Sequence, residues 1–457
     1  MLFGLISPTY SLLLGIFISF FLVFRAKLDG LLGIFFLQLS PYYFYDVSTS
    51  PLEDSLREVT AIGPFPLTVE TLLCGFVCIR VLYQIFINPK IFRGKVSNSL
   101  LLLWILAFIP VTFGAYLAFT SELTNWSRGM RWLMISGSYF YGIILVQNDS
   151  KILLEGVLKE VYTVPIIFVV ILIFFGIFWS HHVFLLIGFG VALGCLLLRS
   201  RRYHFLALGI SILLFLLQYT LSGTFTMYGI YFASVGLIVL TELNISSKNF
   251  LGNFIKTISI LIPLTPIFFT ILILLAGNLH GEIDQVYYAP LDSDIFDRLY
   301  SKIIFDRYPF WQSAWNQIME SNYFIGNSGV PLELNVLGLP NKWEMGTHNS
   351  ILEILKVDGI FSGLVILFIY IAALYNVKKI LLSKESRFMR YFSAAILAVG
   401  IIGMSTGDFP ADMTVGFWLW CFAGLSYGTF LKGFTDKHPD GPSINLTNKL
   451  KKGNFER

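Results

Sequence analysis

The run Gly346-Thr347-His348-Asn349-Ser350-Ile351-Leu352-Glu353-Ile354-Leu355 ends the longest hydrophilic stretch of the chain and passes directly into an apolar one. It sets an ionisable base at the edge of a hydrophobic segment. A free imidazole titrates at about pH 6.5, so at neutral pH His348 is mostly an unprotonated base, able to take a proton from a hydroxyl. Such a role is typically worth ~10² to 10⁴ in rate. The alternative is a loop histidine held for structure alone. Asn349 carries two readings as well: it orients the ring or a sugar hydroxyl, or it caps a helix that begins near Ser350.

Arginines supply the complementary chemistry. Arg307 precedes Pro309, which suits the first turn of a helix, and Phe310, Trp311, Ala314, Trp315 and Ile318 then recur at helical spacing. That spacing predicts a helix with one apolar face to lay on a bundle or a membrane interface. A guanidinium beside the free N–H groups of a helix start is a receptor for a diphosphate, with an ion pair to Asp306 or Asp297 as the other use of the same charge. Arg128 and Arg131, in Asn125-Trp126-Ser127-Arg128-Gly129-Met130-Arg131-Trp132, either reach for lipid headgroups or help Arg307 hold an anionic headgroup.

Metal chemistry finds little purchase. Asp292-Ser293-Asp294 fits a helix cap, and His181-His182 lacks a third ligand nearby. Cys74, Cys78, Cys195 and Cys421 all fall inside apolar segments, which makes them small core residues rather than a disulfide or metal framework. No glycine-rich phosphate loop or nucleophile elbow occurs. No metal and no cofactor are expected.

The elements that must position these groups follow from composition. With 56% hydrophobic and 13% charged residues, and a mean hydropathy of +0.72, the chain reads as a polytopic membrane protein. Its apolar runs are helix-length, about 20 residues each, and lack strand-like alternation. The expected fold is all-α, with about 12–13 transmembrane helices and one large extracytoplasmic loop containing short helices. Residues 1–277 hold ten spans, 278–350 the loop, 351–430 the C-terminal spans, here placed at 357–376, 391–407 and 414–430, and 431–457 a basic tail. The first span is expected to be retained rather than cleaved.

Charge assigns sidedness. Alternating the spans collects twenty-three of the 32 Lys and Arg on the face opposite the loop, so the positive-inside rule sets the loop outside and the tail in the cytoplasm. The loop itself carries nine acidic residues against Arg298, Lys302, Arg307 and Lys342. That balance disfavours a nonspecific nucleic-acid or anionic-lipid surface.

Arg307-x-x-x-Trp311-x-x-Ala314, followed by His348-Asn349-x-x-Leu352-Glu353-x-Leu355-x-x-x-Gly359 at the loop's end, resembles the O-antigen ligase and O-antigen polymerase superfamily of bacterial envelope enzymes. The resemblance takes in the layout too: many spans, one dominant late loop, and two or three spans after it. It implies a metal-independent glycosyltransferase of the bacterial inner membrane, using a polyprenyl-diphosphate-linked saccharide as donor. On that basis His348 is the general base on the acceptor hydroxyl, and Arg307 with Arg131 or Arg128 stabilises the departing diphosphate. The family's Ser-Arg pair before the loop is replaced here by Leu221-Ser222-Gly223-Thr224, so Arg298 or the Ser127-Arg128 pair would supply the missing phosphate ligand. Gly359 and Gly363 stand four apart where three is usual, which reads as a tolerated local change.

Polymerisation of lipid-linked repeat units is favoured over ligation of a finished chain to a lipid A core. A transporter or flippase is the competing class; the spans show few ionisable groups and no internal repeat, which weighs against it. A noncatalytic envelope assembly protein, in which His348 is dispensable, is a third.

Overall fold

A computed structural model describes residues 8–28, 30–35, 61–62, 65–66, 69–92, 95–121, 128–147, 155–164, 182–220, 225–246, 261–279, 285–286, 307–320, 324–326, 332–336, 339–343, 347–407 and 415–437, with isolated positions at 167, 297 and 330. The elements are helix α1 (Pro8–Arg25), the two-residue strands β1 (Ala61–Ile62) and β2 (Phe65–Pro66), then α2 (Val69–Ile87), α3 (Asn98–Thr120), α4 (Arg128–Leu145), α5 (His182–Leu198), α6 (His204–Thr220), α7 (Phe225–Ser246) and α8 (Thr265–Leu279). After these come β3 (Gln285–Val286), α9 (Tyr308–Glu320), β4 (Leu332–Val336), β5 (Leu339–Trp343), α10 (Ser350–Leu381), α11 (Arg387–Thr406) and α12 (Val415–Lys437). Helices dominate because the apolar runs leave no other way to satisfy backbone N–H and C=O groups inside hydrocarbon. Among the described residues, four helices are long and apolar enough to cross a membrane, and several shorter apolar helices accompany them.

The 278–350 stretch is not purely helical. Alongside α9 it holds a hairpin, β4 antiparallel to β5, with β3 parallel to β4. The short helix foreseen at 299–304 lies outside the described residues, as do most of the spans foreseen at 30–47 and 161–179.

Helix directions follow from side-chain pairings. Gly142 and Gly428 of the α4 and α12 region abut Cys421 and Val146 respectively, so α4 and α12 run the same way. The second half of α10 is parallel to both, since Tyr370 Oη donates to Trp132 O at 3.4 Å and Asn376 Nδ2 to Tyr139 Oη at 2.9 Å. The starts of α4 and α12, and the end of α11 that leads into α12, therefore share one end of the bundle with the 278–350 stretch. At the opposite end Lys432 Nζ donates to Val146 O and Gln147 O, closing the last turn of α4. Lys95 lies in the same corner, where burial and then the nearby Lys432 charge hold its ammonium below the usual lysine range. Glu242 ties that end further, accepting from Tyr391 Oη at 3.0 Å and pairing with Arg199 at 3.1 Å and Arg390 at 3.7 Å.

α10 is two arms joined at Gly359, whose backbone is at φ 73, ψ 170. The corner is sharp. A Cβ on Gly363 would lie 3.1 Å from the Leu355 Cα, whereas residues eight apart in an unbroken helix are separated by about 12 Å along the axis. The four-residue spacing of these glycines thus has a structural reason: Gly359 supplies the backbone conformation, and Gly363 lets the first arm fold down against the second. Gly326, at φ 78, backs onto the same corner, and a Cβ there would sit 2.3 Å from Gly359 N and 2.6 Å from Val357 O. The second arm, residues 360–381, is about 33 Å long, enough for a bilayer's hydrocarbon core. The first arm, 350–358, does something else.

Gly359→Ala forces a side chain into a conformation that is nearly glycine-only and onto Phe324 O, 2.7 Å away. A loss of at least ~1–3 kcal/mol is expected, read as a lower unfolding temperature of the purified protein in detergent. A wild-type midpoint for Gly359→Ala would contradict the corner.

Candidate functional site

The first arm of α10 begins inside the protein, with no water to satisfy its free N–H groups. Asn349 does that work. Its Oδ1 accepts from Ile351 N at 3.0 Å and Leu352 N at 3.1 Å, while Nδ2 donates to Thr270 Oγ1 at 2.9 Å and Ser405 O at 3.3 Å. Ser350 Oγ donates to Gly407 O at 2.8 Å. The arm's start is thereby fastened to α8 and to the end of α11. Of the two uses open to Asn349 in the sequence, the geometry shows the helix cap; the side chain is fully buried and its donor and acceptor groups are engaged within the protein.

The turn before the cap is locked on both sides of His348. Thr347 N donates to Glu353 Oε2 at 3.0 Å, Thr347 Oγ1 donates to Asn349 O at 2.7 Å and accepts from Asn349 N at 3.2 Å, and Glu353 N returns to Asn349 O at 3.0 Å. These bonds hold His348 at φ 56, the left-handed region that non-glycine residues seldom enter. Of residues 347–354, His348 alone escapes full burial. A strained backbone that turns one imidazole outward from an otherwise buried run is the kind of local strain found at functional positions.

Across from it, α9 packs Phe310, Trp311, Ala314 and Ile318 against Ile273 and Leu352. The Phe310 ring meets the His348 ring edge to face, with centroids 5.7 Å apart. Arg307, half-buried, stands one turn before Phe310 at the beginning of α9, and side chains three apart on a helix share a face, with Cβ atoms about 5–6 Å apart. Phe310, which touches His348, thus lies about one turn beyond Arg307 on the same helix. Trp315, expected on the packed face, is 43% exposed instead; at about 100° per residue it falls on the edge of the buried arc rather than inside it.

The remaining arginines are elsewhere. Gly129, in the first turn of α4, lies against Asp358 at the far end of the first arm, so Arg131, half-buried on α4, sits near that end. The arm separates it from His348 by about 12 Å of helix. Arg128 begins α4, but its side chain, like all of Arg298, lies outside the described residues.

Charged groups that the sequence reading passed over line this arm. With the span set at 357–376, Glu353, Lys356 and Asp358 belonged to a boundary; in the structure all three are buried. Lys356 Nζ approaches Glu353 Oε2 at 4.0 Å and donates to Val330 O at 3.3 Å. Among the described residues, Asp358 has no hydrogen-bond partner at either carboxylate oxygen. The signal was present as three ionisable residues at i, i+3 and i+5, the last of them in an Asp-Gly pair, but only the corner explains why they are enclosed.

Compared with family models, curated proteins and solved structures, the chain matches none of them.

Two outcomes test this geometry. Asn349→Ala strips the cap and leaves buried N–H groups unmet, so stability should fall by roughly 1–3 kcal/mol, with Asn349→Asp losing less because it keeps the acceptor. Asp358→Asn removes an unpartnered buried carboxyl at equal size and should raise the unfolding temperature, while Asp358→Glu, pressed onto Gly129, should lower it. Thermal unfolding of the purified variants distinguishes these directions.

Proposed function

We propose that this chain is a multi-pass glycosyltransferase of the bacterial cytoplasmic membrane that uses a polyprenyl-diphosphate-linked saccharide as donor, most simply to polymerise O-antigen or capsule-type repeat units. The observation that supports the reading is the contact of His348 with Phe310, about one turn along α9 from Arg307. His348 takes the proton of the acceptor hydroxyl, and Arg307 at the start of α9 offers its guanidinium and the helix N–H groups to the departing diphosphate. Arg131 and Arg128, at the other end of the first arm, are suited to a more distant part of the donor. The basic groups gathered at the far end of the bundle support an extracytoplasmic position for residues 278–350. A donor that carries its own activated phosphate suits that side, where nucleotide-sugars are not expected.

One observation favours a second reading. The break at Gly359 and the buried Glu353, Lys356 and Asp358 are features that transporters use for coupling ions and substrates. A flippase would depend on the corner and not on the imidazole.

The assay offers a purified, reconstituted protein the lipid-diphosphate-linked repeat unit, alone or with a lipid A core acceptor. His348→Ala and Arg307→Ala should each cut polymer formation by about 10² or more at unchanged membrane abundance. Normal long-chain product from both variants rejects the enzyme, and product formed only on the lipid A core replaces polymerase by ligase. Lipid-linked saccharide crossing the bilayer with His348→Ala intact and Asp358→Asn inactive favours the flippase.

A further inference from the structure

α9 lies in a hydrophilic stretch, yet it carries more apolar surface than its packing consumes. Phe310, Trp311, Ala314 and Ile318 form the arc against the bundle. Trp315 and Met319 follow on one edge of that arc and are 43% and 50% exposed, and beyond them come the exposed Asn316 and Glu320. A helix resting on a bundle in water would carry polar residues at that edge.

What borders this edge identifies its occupant. On one side α9 packs on α8 through Phe269 and Trp311, centroids 6.1 Å apart; the outer stripe of α8, Phe268, Ile271, Leu272 and Leu275, is exposed throughout. On the other, just past the end of α9, Phe324 is 57% exposed and stacks on Phe361 at 5.5 Å. Phe361 opens the second arm of α10, whose next residues along that side, Leu364 and Phe368, are exposed as well. In a membrane protein, exposed apolar stripes on a spanning helix such as α10 and on the shorter apolar helix α8 beside it face lipid. The Trp315–Met319 edge joins two such stripes into one surface.

We propose that α9 is an interfacial helix, seated in the bilayer by Trp315, Met319 and Phe324, and that its partner is the lipid surface itself. Tryptophan at one edge, polar residues on the outer face and a packed inner face are the arrangement of a helix lying in the plane of the headgroup region. Arg307 then stands at headgroup depth, about 12 Å along the same helix from Trp315. The inference concerns where α9 rests and holds whether or not the chain transfers sugars.

Single nitroxide labels test it in the full-length protein reconstituted into phosphatidylcholine–phosphatidylglycerol vesicles, with Cys195→Ala so that no partly accessible native thiol competes. Labels at Trp315→Cys, Met319→Cys and Phe324→Cys should collide more with oxygen than with a water-soluble nickel chelate, and labels at Asn316→Cys and Glu320→Cys should show the reverse. Phe324→Cys and Met319→Cys suffice if Trp315→Cys does not fold. Equal aqueous accessibility at all positions overturns the proposal, and so does shielding of Met319 and Phe324 from both reagents, which would mean that protein covers the edge.

Discussion

A helix that starts inside a packed apolar bundle must find partners for its first N–H groups without water, and in this protein one side chain meets that requirement. Asn349 closes the first turn of α10 with its carbonyl and fastens the turn to α8 and α11 with its amide. Much else depends on it. The same set of bonds, running from Thr347 to Glu353, holds His348 in a left-handed turn, where its ring meets Phe310. Because the arm starts beside the end of α11 and ends beside the start of α4, it lies across one end of the bundle, and the chain must turn sharply to become a spanning helix. Gly359, Gly326 and Gly363 make that corner feasible.

This arrangement explains why the candidate residues divide into two groups. His348 and Arg307 belong to the capped end of the arm, while Arg131 belongs to the corner. Three ionisable residues enclosed in so short a helix are costly in an apolar setting. Glu353 and Lys356 offset part of that cost by pairing, and Asp358 does not. The first arm therefore combines rigid hydrogen bonding at one end with an enclosed carboxyl that has no hydrogen-bond partner among the described residues at the other.

The helical, apolar character of the chain was legible because it is a property of composition and run length, and both act locally. So was α9: Pro309 and the spacing from Phe310 to Ile318 define its start and its packed face, with Trp315 misjudged only because an edge position is decided by the neighbouring helix. His348 and Arg307 could be singled out by residue type. The two uses of Asn349, by contrast, are identical in sequence, and the hairpin of β4 and β5 went unassigned in a stretch expected to hold short helices, although Leu332-Glu333-Leu334-Asn335-Val336 alternates apolar and polar with the two-residue period of a strand.

By itself, the sequence determined an apolar helical protein with a polar stretch before its last spans, and the identity of a base and a guanidinium within that stretch. Only the tertiary structure decided that α10 is bent, that the spacing of Gly359 and Gly363 is the geometry of a corner, and that Glu353, Lys356 and Asp358 are enclosed. The reason is physical: burial, helix capping and close backbone approach depend on residues such as Thr270, Ser405 and Gly129, which lie roughly 50 to 230 positions away along the chain and leave no mark on the local pattern.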